Sequence, residues 1–324
     1  MNIVILGTGI IAKAMAKTIN DLNDKNIVLY GVVSRDEQKA IDFKNKYHAV
    51  RSFSSYQELY ECNEVDLVYI ASPHVAHYSN TKELLLNKKA VLCEKPFTIN
   101  KKQLEELVLL AKKQNVLLVE AFWTRFMPFV KTIKKIIANG EIGNVKSLKS
   151  TFGFDLRKVE RLTNLSLGGG ALLDVGVYPL NMAMMFLGED FTIEKTKCKL
   201  YKTGVDAHDE IILSYKNGAK AKLITGMDRN YSNNTIIKGD KGKIIIKVTN
   251  NPNKIIVKKR FNITSKEYPI EPQVSGYEYE LYACLEALNK NQIECEQVTH
   301  QTSLKMMETL DELRRRWNIK YPGE

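Results

Sequence analysis

The sequence predicts an α/β protein in two parts. Residues 1–120 read as a doubly wound parallel sheet, and residues 121–324 as a C-terminal α/β domain with a large, mostly antiparallel open sheet. Three observations predict this. From Asn2 to Glu120, short apolar runs alternate with helical patterns, the arrangement of parallel strands joined by crossover helices. From Phe191 to Ile270, strand-like runs follow one another with only turns between them. A length of 324 residues is more than one hydrophobic core usually organises.

The first part opens with Ile3-Val4-Ile5-Leu6, a continuous apolar run suited to a strand buried on both faces. Gly7-Thr8-Gly9-Ile10-Ile11-Ala12 follows, then a helical segment to Ile19. This is the Gly-x-Gly-x-x-Ala pattern of a dinucleotide-binding turn in its strand–turn–helix setting. Gly7 permits the tight turn, Gly9 lets a pyrophosphate approach, and Ala12 lets helix pack on strand. Thr8, Ile10 and Ile11 complete that cofactor-binding turn.

The second strand, Ile27 to Val33, ends in Ser34-Arg35-Asp36. A hydroxyl and a guanidinium here suit the 2′-phosphate of NADP. Asp36 is either the ribose ligand of an NAD site or the N-cap of the next helix. The N-cap reading favours NADP, with NAD possible. Asp66 to Ile70 is another strand, followed by a loop carrying Ser72, Pro73, His74 and His77 at the ligand-binding edge of the sheet. His74 and His77 have no carboxylate or thiol at ligand spacing, so no metal is expected. Ala90 to Cys93 ends in Glu94-Lys95-Pro96, where Pro96 restricts Lys95 to extended conformations. A helix over Asn100–Gln114 and a strand over Val116–Val119 close the first part.

In the second part, Trp123 and Arg125 place a cation within an aromatic run, a setting for a polar ligand. A helix over Pro128–Ala138 and a strand over Val145–Asp155 lead to Gly168-Gly169-Gly170. The mostly apolar segment Ala171–Leu187 after it reads as a helix. Asp174 and Tyr178 then share one face, a turn apart, as a candidate proton-transfer unit or as a pair that satisfies itself. Ala219 to Met227 alternates with apolar residues on both faces, which predicts a sheet face covered in a homodimer or higher oligomer. Asp206-Ala207-His208-Asp209-Glu210 reads as a solvated turn at a strand start. Two helices, Tyr277–Asn289 and Thr299–Trp317, finish the chain.

Composition narrows the partners. A hydrophobic content of 44% and a charged content of 26% are those of a globular protein. The net charge of +11 is spread over scattered lysines, with no basic run and no nucleic-acid motif, so no nucleic acid is expected. No uncharged apolar run approaches membrane-spanning length, and no leader precedes the first strand, so no membrane is expected. Five cysteines without a CxxC pair predict free thiols in a reducing compartment and a cytoplasmic protein.

Three motifs in order, Gly7-x-Gly9-x-x-Ala12, Glu94-Lys95-Pro96, and Gly168-Gly169-Gly170 leading to Asp174 and Tyr178, resemble the Gfo/Idh/MocA oxidoreductase family over essentially the whole chain. Glu120–Phe126 and Gly170–Tyr178 are similar to the branch of dimeric dihydrodiol dehydrogenases and NADP-linked D-xylose dehydrogenases. The resemblance implies an N-terminal Rossmann domain and an NAD(P)-dependent dehydrogenase acting on CH–OH groups of a sugar, polyol or cyclic diol. Lys95 would touch nicotinamide ribose and substrate, and Asp174 would bind substrate hydroxyls. Tyr178 would be the acid/base residue. Trp123 and Phe152 would wall the substrate, with Arg125 beside them, and Arg35 would hold the 2′-phosphate. Glu94, with Ser72, Pro73 and His77, would line the cofactor. Tyr178 stands where inositol dehydrogenase-like members carry His, and Pro179 departs from the animal dihydrodiol enzymes. The alternative is a catalytically inactive dinucleotide-binding sensor or co-regulator of the same fold.

Overall fold

The computed structural model describes residues 1–260, 265–322 and 324. Strand β1 (Asn2–Leu6) is buried from Ile3 onward. It turns out of the sheet at Gly7, where φ is +115° and an added Cβ would lie 2.8 Å from the Ala71 carbonyl oxygen. Only glycine fits that turn. Then come α1 (Ile10–Leu22), β2 (Val28–Val33), α2 (Glu37–Tyr47), β3 (Arg51–Phe53), α3 (Tyr56–Glu61) and β4 (Leu67–Ile70). They are followed by α4 (His77–Leu86), β5 (Val91–Glu94), α5 (Lys101–Gln114) and β6 (Leu118–Ala121). The strands are all parallel, in the order β3-β2-β1-β4-β5-β6. The order reverses beside β1, which puts the turns after β1 and β4 at the crevice where such sheets bind ligands. Asp36, Ser55 and Asn100 start α2, α3 and α5 by accepting the backbone N–H of Lys39, Glu58 and Gln103.

A second sheet follows α6 (Phe129–Ala138). Its strands are β7 (Val145–Gly153), β8 (Phe191–Leu200), β9 (Asp206–Tyr215), β10 (Lys220–Gly226), β11 (Asn234–Gly239), β12 (Gly242–Lys247), β13 (Lys254–Lys259) and β14 (Ser265–Tyr268). They lie in the order β14-β13-β12-β11-β7-β10-β9-β8, with β7 and β10 parallel and the other described pairs antiparallel. Between β7 and β8 come α7 (Glu160–Thr163) and α8 (Val177–Leu187), and α8 is buried from Val177 through Phe186. The chain closes with α9 (Glu278–Asn289) and α10 (His300–Arg316).

Several expectations are corrected. The α-helix expected over Ala171–Leu187 begins as a π-helical turn, Leu172–Gly176, and becomes α-helical at Val177. The expected solvated turn at Asp206–Glu210 is part of β9, with Asp206 and Asp209 fully buried. Strand β10 is apolar mainly on one face. Ala221 and Leu223 are buried, while the opposite face carries Lys220, Lys222 and Ile224. The segment Leu165–Leu187 is long and apolar enough to cross a membrane by length and composition, with a mean hydropathy of 1.4, and 89% of that window is buried in the protein. Asp174 interrupts it, so it contains no uncharged apolar run of that length.

The division at residue 120 is also corrected. One compact unit is Met1–Phe126 with Gln273–Met307, and the other is Met127–Pro272 with Glu308–Glu324. The physical reason lies at β6, the edge of the parallel sheet. Leu118 N–H donates to the Ile293 carbonyl at 3.0 Å, and His300 Nε2 lies 2.9 Å from the Leu118 carbonyl oxygen. The returning segment occupies backbone groups that an edge strand would leave open.

Candidate active site

In the first unit, Gly9 is the N-cap of α1, makes no side-chain cap, and is followed by no acidic residue in the first turn. A Cβ on Gly9 would meet nothing within 4 Å, and Ile10 beside it is 89% exposed. The first N–H groups of α1 therefore face open space with the helix's positive end behind them, as a pyrophosphate requires. Thr8 and Ile11 flank this turn and are half-buried. At the end of β2, Ser34 Oγ accepts the Asp36 N–H at 3.3 Å, and Arg35 is exposed. Asp36 faces α2: its carboxylate accepts the Lys39 N–H at 3.1 Å and pairs with Lys39 Nζ at 2.9 Å. The Lys39 contacts hold this carboxyl below the usual range. These residues fit a dinucleotide, with an exposed cation at the end of β2 and the neighbouring carboxylate turned to α2.

The turn bearing Lys95 is fixed from both sides. His77 is 0% exposed, with Nδ1 2.8 Å from the Pro96 carbonyl and Nε2 2.9 Å from the Ser72 carbonyl. Burial lowers its pKa, opposed by those two carbonyls. His77 is thus corrected from a cofactor contact to a tie between the Ser72-Pro73 loop and the Lys95-Pro96 turn. On the other side, Glu120 accepts the Phe97 N–H at 3.2 Å and the Ser303 hydroxyl at 2.6 Å. Burial raises the Glu120 carboxyl, while the Ser303 bond and the Arg125 charge oppose the rise. Glu94 ends β5 and is buried, accepting the Tyr69 hydroxyl. The Lys95-Pro96 bond is cis. Trp123 stacks on Tyr277 with ring centroids 4.5 Å apart, and Arg125 ends the same 3-10 turn.

In the second unit, Asp174 sits in the π turn, where Arg161 Nη2 donates to its Oδ1 at 3.0 Å. Tyr178 follows in the first turn of α8. Its ring meets Phe152 edge-on at 4.9 Å, and Phe152 meets Phe154 at 5.3 Å. Phe152, expected as substrate wall, is 2% exposed and supports the phenol ring, whereas Phe154 is 40% exposed. The geometry brings together an anionic hydroxyl acceptor, a phenol and an exposed aromatic face, a set suited to a polyhydroxylated ring.

The sequence reading missed Tyr69, His77's true role, Glu120, Arg161 and Tyr277. A buried-polar expectation for Glu120, directly beside the aromatic run, was the one available signal. Among the described residues no group of His, Cys, Asp and Glu could hold a metal ion, and the five cysteines are free.

Comparison with known proteins agrees across the chain. A family model described as an oxidoreductase family with an NAD-binding Rossmann fold matches residues 1–122, and the GFO/IDH/MocA C-terminal domain matches residues 130–245. Trans-1,2-dihydrobenzene-1,2-diol dehydrogenase of Mus musculus is 30% identical, covering 99% of this chain and 98% of its own. The enzyme of that name from Xenopus tropicalis is 32% identical over 90% of both chains. In fold, a 3-ketoreductase from Actinomadura kijaniata in complex with NADP and TDP-benzene superposes with a TM-score of 0.87 at 24% identity, over 97% of both chains. An aldose-aldose oxidoreductase from Caulobacter crescentus reaches 0.87 at 21% identity, over 98% of this chain and 97% of that one.

Proposed function

We propose, from the premise that the chain belongs to the GFO/IDH/MocA oxidoreductase family, that it moves a hydride between NADP(H) and a carbinol or carbonyl carbon of a sugar, polyol or cyclic diol. The nicotinamide supplies the hydride chemistry when bound. The N-terminus of α1 holds the pyrophosphate, and Arg35 with Ser34 holds the 2′-phosphate. Lys95, on its clamped turn, binds ribose and substrate hydroxyls. Asp174, oriented by Arg161, accepts substrate hydroxyls. Tyr178 takes the carbinol proton on oxidation and returns it on reduction. Its free pKa of about 10 must fall for this, which an ammonium brought beside the phenol would favour.

The observation that carries the reading is Tyr178 on a buried helix, braced by Phe152 and one turn after the Arg161–Asp174 pair. Substrates named in the relatives' descriptions, a cyclic diol and sugars, support the substrate class. The test is Tyr178→Phe, assayed with NADP against trans-1,2-dihydrobenzene-1,2-diol and D-xylose. General acid–base catalysis contributes about 10²–10⁴-fold, so kcat should fall at least a hundredfold with the fold intact by circular dichroism. Turnover near wild type removes Tyr178 as the proton carrier.

The protein assembles as a homodimer through the open face of the second sheet. Ile236, Ile245 and Ile256 are in register across β11, β12 and β13 on that face and are half-buried, which supports this reading. Five free cysteines support a cytoplasmic location.

A further inference from the structure

The buried carboxyls of Asp206 and Asp209 serve no step of the proposed reaction, yet both are 0% exposed. Asp206 stands at the start of β9 and reaches the glycine run: Leu172 N–H donates to its Oδ2. The Ala171 backbone also favours the charged form of this carboxyl. A Cβ at Gly170 would lie 2.2 Å from Asp206 Oδ1, and φ there is +114°. The third glycine of the run is therefore required by the carboxylate that occupies its side-chain space. Tyr321 fixes the preceding residue by donating its hydroxyl to the Gly169 carbonyl at 2.6 Å. Leu172 opens the π turn that contains Asp174 and leads directly into the turn of Tyr178.

We propose that Asp206, steadied by Asp209, is a positioning residue of the active site: its carboxylate holds the N-terminus of the π turn and so sets where Asp174 and Tyr178 point. This rests on the function proposed above. A carboxylate at a helix N-terminus is favoured by the N–H groups it accepts and by the helix dipole. Asp209 lies within hydrogen-bonding reach of Asp206 and of the Cys198 thiol on β8. Neither Asp209 oxygen receives an N–H or O–H donor from any other described neighbour. Two buried carboxyls in contact must share a proton. Asp206, which accepts the Leu172 N–H, is the carboxylate, and Asp209 carries the proton and donates it to Asp206. Asp228 and Tyr321 also face the pair, and burial favours the protonated form of both acids.

The contrast between Asp206→Asn and Asp209→Asn tests this. Backbone amide exchange over residues 171–178 is read by mass spectrometry, alongside kcat with NADP and trans-1,2-dihydrobenzene-1,2-diol and the Kd for NADPH. Asp209→Asn keeps a donor toward Asp206, so exchange and kcat should stay within about twofold of wild type. Asp206→Asn should speed exchange in 171–178 and lower kcat, each at least tenfold, with Kd for NADPH unchanged. A lowered Tm with unchanged local exchange and kcat would reduce Asp206 to a structural role and overturn the proposal, as would the reverse ranking of the two variants. Should Asp206→Asn not fold, Asp209→Ala decides: localised acceleration supports the clamp, and wild-type exchange and kcat overturn it. A wild type inactive on the diol would fail the functional reading alone, and the exchange comparison would still judge the clamp.

Discussion

Replacing Arg35 with Ala isolates cofactor choice, because the structure removes the main competing charge. Asp36 is the residue that could repel a 2′-phosphate or bind the ribose of NAD. It is instead engaged by the Lys39 N–H and by Lys39 Nζ at 2.9 Å, as the helix N-cap. That leaves the exposed Arg35 and Ser34 at the end of β2 to meet the phosphate. A hydrogen bond to a charged group contributes about 1.5–3 kcal/mol. Arg35 is exposed, and water screens such contacts, so the lower end applies. Since about 1.4 kcal/mol is a factor of ten, Arg35→Ala should weaken NADPH binding about tenfold. NADH binding should stay within about twofold. The assay is direct titration of dinucleotide fluorescence, which needs no substrate. The preference should shrink as ionic strength rises. Equal weakening of both dinucleotides, or a wild type that binds NADH more tightly, would refute the reasoning.

The remaining expectations concern pH and assembly. His77 and His300 are buried with depressed pKa values, caused first by burial. A folded pKa below the unfolded value of about 6.5 means the unfolded chain binds more protons, so this stability is present above that pH and lost as pH falls through the folded value. The buried acids Glu120, Asp206, Asp209 and Glu280 act with the opposite sign. The difference between wild type and His77→Gln isolates the histidine. The Tm gap should be largest near pH 7 and narrow by pH 5.5, and a constant gap would refute a neutral His77. Light scattering at micromolar concentration should give twice the mass of one 36.9 kDa chain, and Ile245→Lys should shift it toward monomer. A monomeric wild type would refute the sheet-face dimer.

What was legible in the sequence was local. The Gly7 turn, the cap at Asp36 and the Lys95-Pro96 corner each depend on neighbours within a few residues, so their chemistry shows in order along the chain. Partners supplied from afar did not show. Arg161 reaches Asp174 across thirteen residues, and Asp206 reaches Leu172 across thirty-four. Nothing in the composition of Asp206–Glu210 distinguishes a buried carboxyl pair from a solvated turn, because both read as polar residues at a strand start. The π turn was equally hidden, since apolar residues fill either helical form. For His77 the sequence indicates the loop and not the direction of the ring. Position near a ligand edge does not say whether a ring points outward or, as here, between two carbonyls.

The return of residues 273–307 to the first unit has a consequence for how the chain is made. The ribosome releases β1 through β6 long before Ile293, His300 and Ser303 exist. Until then, the backbone of Leu118 and the carboxyl of Glu120 lack the partners that those three residues supply. A nascent chain therefore carries an unfinished sheet edge through most of its synthesis, the situation in which strands pair wrongly with one another. Loss of the last fifty residues would leave that edge bare permanently, so a premature stop far beyond the nucleotide turn would still deprive the dinucleotide-binding unit of its final strand's cover.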